Sequence, residues 1–230
     1  MTKTADNIIV ALDVSTKEDA LRLVDELRGA CAFFKVGLQL YTAGGPAIVR
    51  EIRASGAKVF LDLKLHDIPN TVAAAVEAAG KLDVAMLTIH LSGGDAMIRA
   101  AMKARTANMS ILGVTVLTSA DGETLRSIGV RDDVTAQVAR LAHLGVKEGV
   151  TGVVASPHEI AILRKAFGTR IKIVTPGIRR ARSAHDDQKR VMTAREAIAA
   201  GADYLVVGRP ITADANPRGA LQKLIAELDS

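Results

Sequence analysis

The segment Asp62-Leu63-Lys64-Leu65-His66-Asp67 sets two carboxylates, an ammonium and an imidazole where the apolar run Val59-Phe60-Leu61 should be ending. Alternation from Val59 to Leu65 predicts a strand with Phe60, Asp62, Lys64 and His66 on one face and Val59, Leu61, Leu63 and Leu65 on the other. The leucine face must pack against something, so the charged face looks into water or into a cavity. Carboxylate and ammonium held together in a cavity are costly unless they pair, and such pairs gather at chemical sites. A structural ion pair is the bland alternative. Lys35, inside Phe33-Phe34-Lys35-Val36-Gly37, sharpens the case, because a lysine buried in an apolar strand needs a charged partner. The chemistry open to such a set is charge stabilisation and proton delivery.

Short β-branched runs and alanine-rich helical stretches alternate along the chain and must position these groups. Strands are predicted over 8–12, 33–36, 58–63, 85–90, 111–117, 152–155, 171–175 and 204–208. Helices are predicted over 17–28, 45–54, 70–81, 95–104, 133–145, 157–167, 194–200 and 219–228. Ser156 before Pro157 reads as an N-cap with proline in the first turn. This α/β alternation predicts one (β/α)8 TIM barrel domain spanning residues 1–230, with a doubly wound open sheet as the alternative. No Gly-x-Gly-x-x-Gly follows the first strand, only Asp13-Val14-Ser15, which counts against a dinucleotide fold. Residues 118–132 hold no clear element and read as a long loop of the lid type.

At 49% hydrophobic residues the chain can bury a full core, and with 3% aromatics that core must be aliphatic. Cys31 is the lone cysteine, so no internal disulfide forms and a reducing, cytoplasmic setting is expected. The first residues lead into a strand rather than a signal segment, and no apolar run reaches the length of a membrane span. A net charge of +5 suits nucleic acid or a small polyanion. Stacking aromatics and a basic helical stripe are missing, so neither nucleic acid nor membrane is expected as a partner.

In a barrel the active site lies at the carboxyl ends of the strands. Those ends carry Asp13, Lys35, Asp62 and Lys64, His90, Thr118 and Ser119, Pro176 to Arg179, and Gly208-Arg209. Asp13 has a rival role as cap of the next helix, although Ser15 and Thr16 can also do that. Asp67, before Ile68-Pro69-Asn70, has a rival role in the turn. His90 reads as a satisfied core histidine, and Ser92-Gly93-Gly94 as a tight turn. Loops after strands seven and eight commonly hold phosphate through backbone N–H groups and a cation, which suits Gly208 with Arg209. Arg179 opens a basic loop, 179–190, on the same corner; its charges are otherwise a solvated face.

Taken in order, Ala-Leu-Asp13, Phe-Lys35-Val-Gly, Asp62-Leu-Lys64-Leu-His-Asp67-Ile-Pro-Asn-Thr71, Val-Leu-Thr118-Ser, Thr-Pro176-Gly-Ile-Arg179 and Val-Gly-Arg209-Pro-Ile resemble the orotidine 5′-phosphate decarboxylase family over the whole chain. The resemblance implies cofactor-free decarboxylation of orotidine 5′-monophosphate to uridine 5′-monophosphate in pyrimidine biosynthesis, with no metal. It implies Lys35, Asp62, Lys64 and Asp67 at the reacting carbon, with Asp67 and Thr71 supplied by the neighbouring subunit of a homodimer. Asp13 and Lys35 would hold the ribose, Thr118 the pyrimidine edge, Pro176 the pocket wall, and Arg209 the phosphate. One departure stands out: Ala181 occupies the place of a glutamine that often bridges base and phosphate, with Arg180, Arg182 and Gln188 as substitutes. Metal-dependent relatives, the 3-keto-gulonate-6-phosphate decarboxylases and hexulose-phosphate synthases, share Asp62, Lys64 and Asp67. They carry an acidic residue where this sequence has Lys35, and a lysine there repels Mg²⁺. A non-catalytic phosphate-ligand binder on the same barrel is the third reading.

Overall fold

The computed structural model describes residues 5–178 and 192–229. Eight parallel strands close into a barrel in sequence order: β1 (Ile8–Ala11), β2 (Phe33–Gly37), β3 (Lys58–Leu65), β4 (Met86–His90), β5 (Ser110–Val114), β6 (Gly152–Val154), β7 (Lys172–Thr175) and β8 (Tyr204–Val207). Closure comes from β1 against β8, with Ile8 opposite Leu205 and Val10 opposite Val207. The helices between them are α1 (Lys17–Glu26), α2 (Leu38–Ala54), α3 (Pro69–Gly80), α4 (Gly94–Ala104), α5 (Gly122–Ser127), α6 (Val134–Lys147), α7 (Ile160–Phe167), α8 (Ala194–Ala200), α9 (Arg209–Thr212) and α10 (Pro217–Asp229). Among the described residues, no helix is long and apolar enough to cross a membrane. The pairing of β1 with β8 overturns the open-sheet alternative.

Strand alternation sorts the core into two layers. Ile8, Val10, Phe34, Val36, Val59, Leu61, Leu87 and Ile89 point outward and pack beneath the helices. The alternate residues Ile9, Ala11, Phe33, Phe60, Met86, Leu112, Val174 and Val206 meet inside the barrel. The inward rows together therefore build one apolar layer across the barrel. Continuing those rows past the apolar layer gives Asp13 after β1, Lys35 on β2, Asp62 on β3, Thr88 on β4 and Gly208 after β8. The site is thus the upper storey of the barrel core.

Gly152 marks where that interior is tight. A Cβ there would lie 2.6 Å from the carbonyl oxygen of Lys172 and 2.9 Å from Cδ2 of Leu112. Backbone cannot give way as a side-chain tip can, so Gly152→Ala is expected to destabilise the protein by about 1–3 kcal/mol. Denaturant unfolding reads this as a lowered midpoint with an unchanged slope.

Three departures from the sequence expectation stand out. β5 stops at Val114 rather than at Leu117, because its neighbour β6 is only three residues long and pairs no further than Val154. Beyond that point the Thr115 hydroxyl donates to the Val154 carbonyl at 3.2 Å, taking over from the ladder. The 118–132 stretch contains α5, a short helix whose cap Asp121 accepts from Thr124 N at 2.9 Å. Helix α2 begins seven residues early, at Leu38, and breaks at Gly45 (φ 58°) before Pro46 restarts it. Pro157 sits in the first turn as expected, with Ser156 at the N-cap position, but the Ser156 hydroxyl makes no hydrogen bond among the described residues. The Glu159 carboxylate instead accepts from Ser156 N at 2.7 Å at the head of the turn leading into α7.

Candidate active site

A cavity of about 420 Å³ opens at the carboxyl ends of the strands. One side is charged and consists of Asp13, Lys35, Asp62 and Lys64; the other is apolar and includes Val114, Val154, Pro176 and Val206. Thr118, Gly208 and Arg209 complete the rim. Eight residues expected from the sequence as site residues, Pro176 and Gly208 among them, are therefore brought to one space.

The charges form a chain. Lys64 Nζ lies 2.8 Å from Asp62 Oδ2, and the same oxygen is 3.6 Å from Lys35 Nζ. Lys35 Nζ in turn donates to Asp13 Oδ1 at 2.9 Å. Lys35 and Asp62 are each 8% exposed, so this is a largely dehydrated network rather than a surface pair. Burial pushes the Asp62 carboxyl up, but the Lys35 and Lys64 ammoniums, with hydrogen bonds from Lys64 and Thr88, outweigh it. The group is held below the ordinary carboxylate range. Asp62 therefore remains an anion at neutral pH despite its burial.

Asp13 owes its place in the network to its neighbours. Thr16 caps α1 by accepting from Asp19 N at 3.1 Å, which leaves the Asp13 carboxylate to Lys35. Gly37 gives that pair its room: a Cβ at Gly37 would sit 3.0 Å from Lys35 Nζ.

β3 does not run straight through the motif. Leu61 faces Leu87 and Leu65 faces Ile89, so Asp62, Leu63 and Lys64 are set against Thr88 alone. Lys64 adopts φ 51°, a left-handed conformation costly for a residue with a Cβ. The side chains keep the alternation expected from Val59 to Leu65, with Lys64 in the cavity and Leu63 and Leu65 against the outer core, while the ladder register breaks after Leu61. Thr88, which sequence reading did not single out, lies fully buried against this bulge. A threonine in Met-Leu-Thr-Ile-His is an ordinary strand residue, so the sequence gives no sign of it.

Asp67 and Thr71 are exposed and do not line the cavity of their own chain. The Asp67 carboxylate accepts from Ile68 N at 2.6 Å at the entry to α3. His90 is half-buried and stacks on His66, with ring centroids 5.4 Å apart. Burial, then the nearby His66 and Lys64, pushes the His90 imidazole below its usual range, which fits a neutral structural histidine. Arg179, Arg180, Ala181, Arg182 and Gln188 lie outside the described residues.

A sequence profile described as the orotidine 5′-phosphate decarboxylase / HUMPS family matches residues 6–224. The chain belongs to this family. It is 47% identical to an orotidine 5′-phosphate decarboxylase of Carboxydothermus hydrogenoformans, over 98% of this chain and 97% of that one. It is 49% identical to the enzyme of the same name from Moorella thermoacetica, over 97% of this chain and 92% of the relative. The crystal structure of orotidine 5′-phosphate decarboxylase from Lactobacillus acidophilus superposes with a TM-score of 0.86 at 33% identity, covering 98% of this chain and all (100%) of that chain. That superposition accounts for the barrel.

Proposed function

We propose that this protein decarboxylates orotidine 5′-monophosphate to uridine 5′-monophosphate, as a carboxy-lyase of pyrimidine biosynthesis. The family membership and its full-length relatives support the reaction. The observation that carries it is the chain Lys64–Asp62–Lys35–Asp13, which alternates in sign along one wall of a cavity whose other wall is apolar.

Loss of carbon dioxide from C6 of the pyrimidine leaves an electron pair in the ring plane, with no adjacent carbonyl to absorb it. The protein must supply electrostatic stabilisation and a proton. Lys64 does both, as an ammonium fixed near C6 that delivers its proton to the carbanion. Asp62 faces the departing carboxylate, and their repulsion ends when carbon dioxide leaves. Lys35 holds Asp62 from the other side and, with Asp13, meets the ribose hydroxyls. Thr118 meets the base edge, and Pro176 closes the apolar wall. Gly208, Arg209 and Arg179 receive the phosphate, whose binding energy orients the distant reacting carbon.

Asp67 and Thr71 belong to this reading as groups lent to the partner's cavity in a homodimer. Their exposure outside their own cavity supports it, as does the bare apolar side chain of Ile68 between them, 66% exposed. The reading includes a cytoplasmic location, in keeping with the free, buried Cys31 thiol.

The metal-dependent reading is disfavoured by Lys35, whose ammonium stands between Asp13 and Asp62 where a cation would have to sit. Purified protein added to orotidine 5′-monophosphate is expected to bleach its ultraviolet absorbance, with the same rate after exhaustive chelation. A chelator-sensitive rate would point to the metal-dependent relatives. No spectral change, with the nucleotide bound, would leave a binding protein.

A further inference from the structure

We infer that Thr88 is a positioning residue for the reaction, acting as the clasp that holds Asp62 and Lys64 in their working arrangement. The inference rests on the decarboxylase reading of the cavity and adds a residue to it.

The bulge in β3 creates a problem that Thr88 solves. With Asp62, Leu63 and Lys64 set against one residue of β4, the regular ladder is interrupted beside the Lys64 N–H. That N–H donates to Thr88 Oγ1 at 2.9 Å. That oxygen lies 2.9 Å from Asp62 Oδ1. A backbone N–H can only donate, and the Asp62 carboxylate is an anion that can only accept, so the hydroxyl proton is directed to Asp62. One hydroxyl therefore ties the backbone of Lys64 to the side chain of Asp62.

The consequence for the carboxylate is a division of labour between its oxygens. Oδ1 is fixed to the barrel through Thr88, while Oδ2 serves Lys64 at 2.8 Å and Lys35 at 3.6 Å. Thr88 is 0% exposed, so no solvent competes for the hydroxyl. Its β-branched side chain is also stiff at χ1, so the clasp has little freedom to lose. The left-handed backbone of Lys64 is a strained conformation that the surroundings must enforce, and Thr88 supplies a hydrogen bond specific to it.

Thr88→Val, nearly isosteric, removes the hydroxyl, whereas Thr88→Ser keeps it. Loss of a hydrogen bond to a charged group predicts a kcat lower by about 10- to 100-fold in Thr88→Val. Affinity for uridine 5′-monophosphate is expected to stay within about threefold, because the Thr88 hydroxyl bonds only Asp62 and the Lys64 backbone and not the groups assigned to ribose and phosphate. The acid limb of kcat/KM should move upward, since Asp62 loses a bond that favours its charged form. Thr88→Ser should restore most of kcat and return the acid limb. A second readout needs no turnover: hydrogen exchange at the Lys64 amide should quicken in Thr88→Val and not in Thr88→Ser. Should the valine variant fail to fold, Thr88→Ala against Thr88→Ser makes the same comparison, both having lost the methyl.

A Thr88→Val enzyme with wild-type kcat would overturn the inference, as would a serine variant just as slow as the valine one. Lys64 amide exchange unchanged by loss of the hydroxyl would do the same. Absence of turnover in the unaltered protein is a different failure. It would strike the decarboxylase reading, while amide exchange would still decide whether Thr88 holds the bulge.

Discussion

Lys64→Ala is expected to cut turnover of orotidine 5′-monophosphate by on the order of 10⁴-fold or more while leaving uridine 5′-monophosphate binding nearly intact. Two roles are removed at once. A fixed ammonium stabilising a developing charge is worth roughly 10²–10³-fold, and a positioned proton donor adds a comparable factor. Binding should survive because ribose and phosphate are assigned to Asp13, Lys35 and the Gly208-Arg209 corner, which the substitution does not touch. The variant also leaves Asp62 with one cation in place of two, at 3.6 Å from Lys35. Part of the loss then comes from a carboxylate held by Thr88 and Lys35 alone. Single-turnover kinetics with a parallel product titration separates these effects. Turnover within tenfold of the unaltered enzyme would remove Lys64 from the chemistry.

The second large effect is a recovery. Asp67→Ala is expected to be inactive, and so is Lys64→Ala, yet a mixture of the two should regain activity once subunits exchange. On the proposed shared-site reading, each site of a twofold dimer takes Lys64 from one chain and Asp67 from the other. A hybrid then holds one site with both lesions and one with neither. Random assortment makes half of the dimers hybrids, so about a quarter of the native activity should return. If Asp67 instead acted in its own chain, every site would carry one lesion and nothing would return. Exchange must be shown separately, for example by differently tagged subunits eluting together.

The sequence made the charged face of the site legible for a geometric reason. A barrel sends one row of each strand inward, so a polar residue following inward apolar ones is already in the cavity; Lys35 after Phe33 and Asp62 after Phe60 are read this way. Asp13 was ambiguous between ligand and cap until Thr16 proved to hold α1. The bulge was not legible, because alternation from Val59 to Leu65 is unbroken in composition while the backbone departs from it. Thr88 was hidden with it, since its importance comes from facing the bulge. The end of β5 was misplaced because Val114-Thr115-Val116-Leu117 stays strand-like where the partner strand has run out. The six residues of α5 are too short for helical periodicity to register.

The closure of β1 on β8 has a consequence for how activity first arises. Ile8 pairs with Leu205 and Val10 with Val207, contacts between segments nearly two hundred residues apart. Asp13 stands beside that seam, between Lys35 on one side and Gly208 on the other. On the ribosome, the β8-facing edge of β1 has no partner until β8 emerges, and the ribose and phosphate groups are not neighbours until then. Catalysis is therefore the last property a growing chain acquires, and its onset reports that the ring has closed.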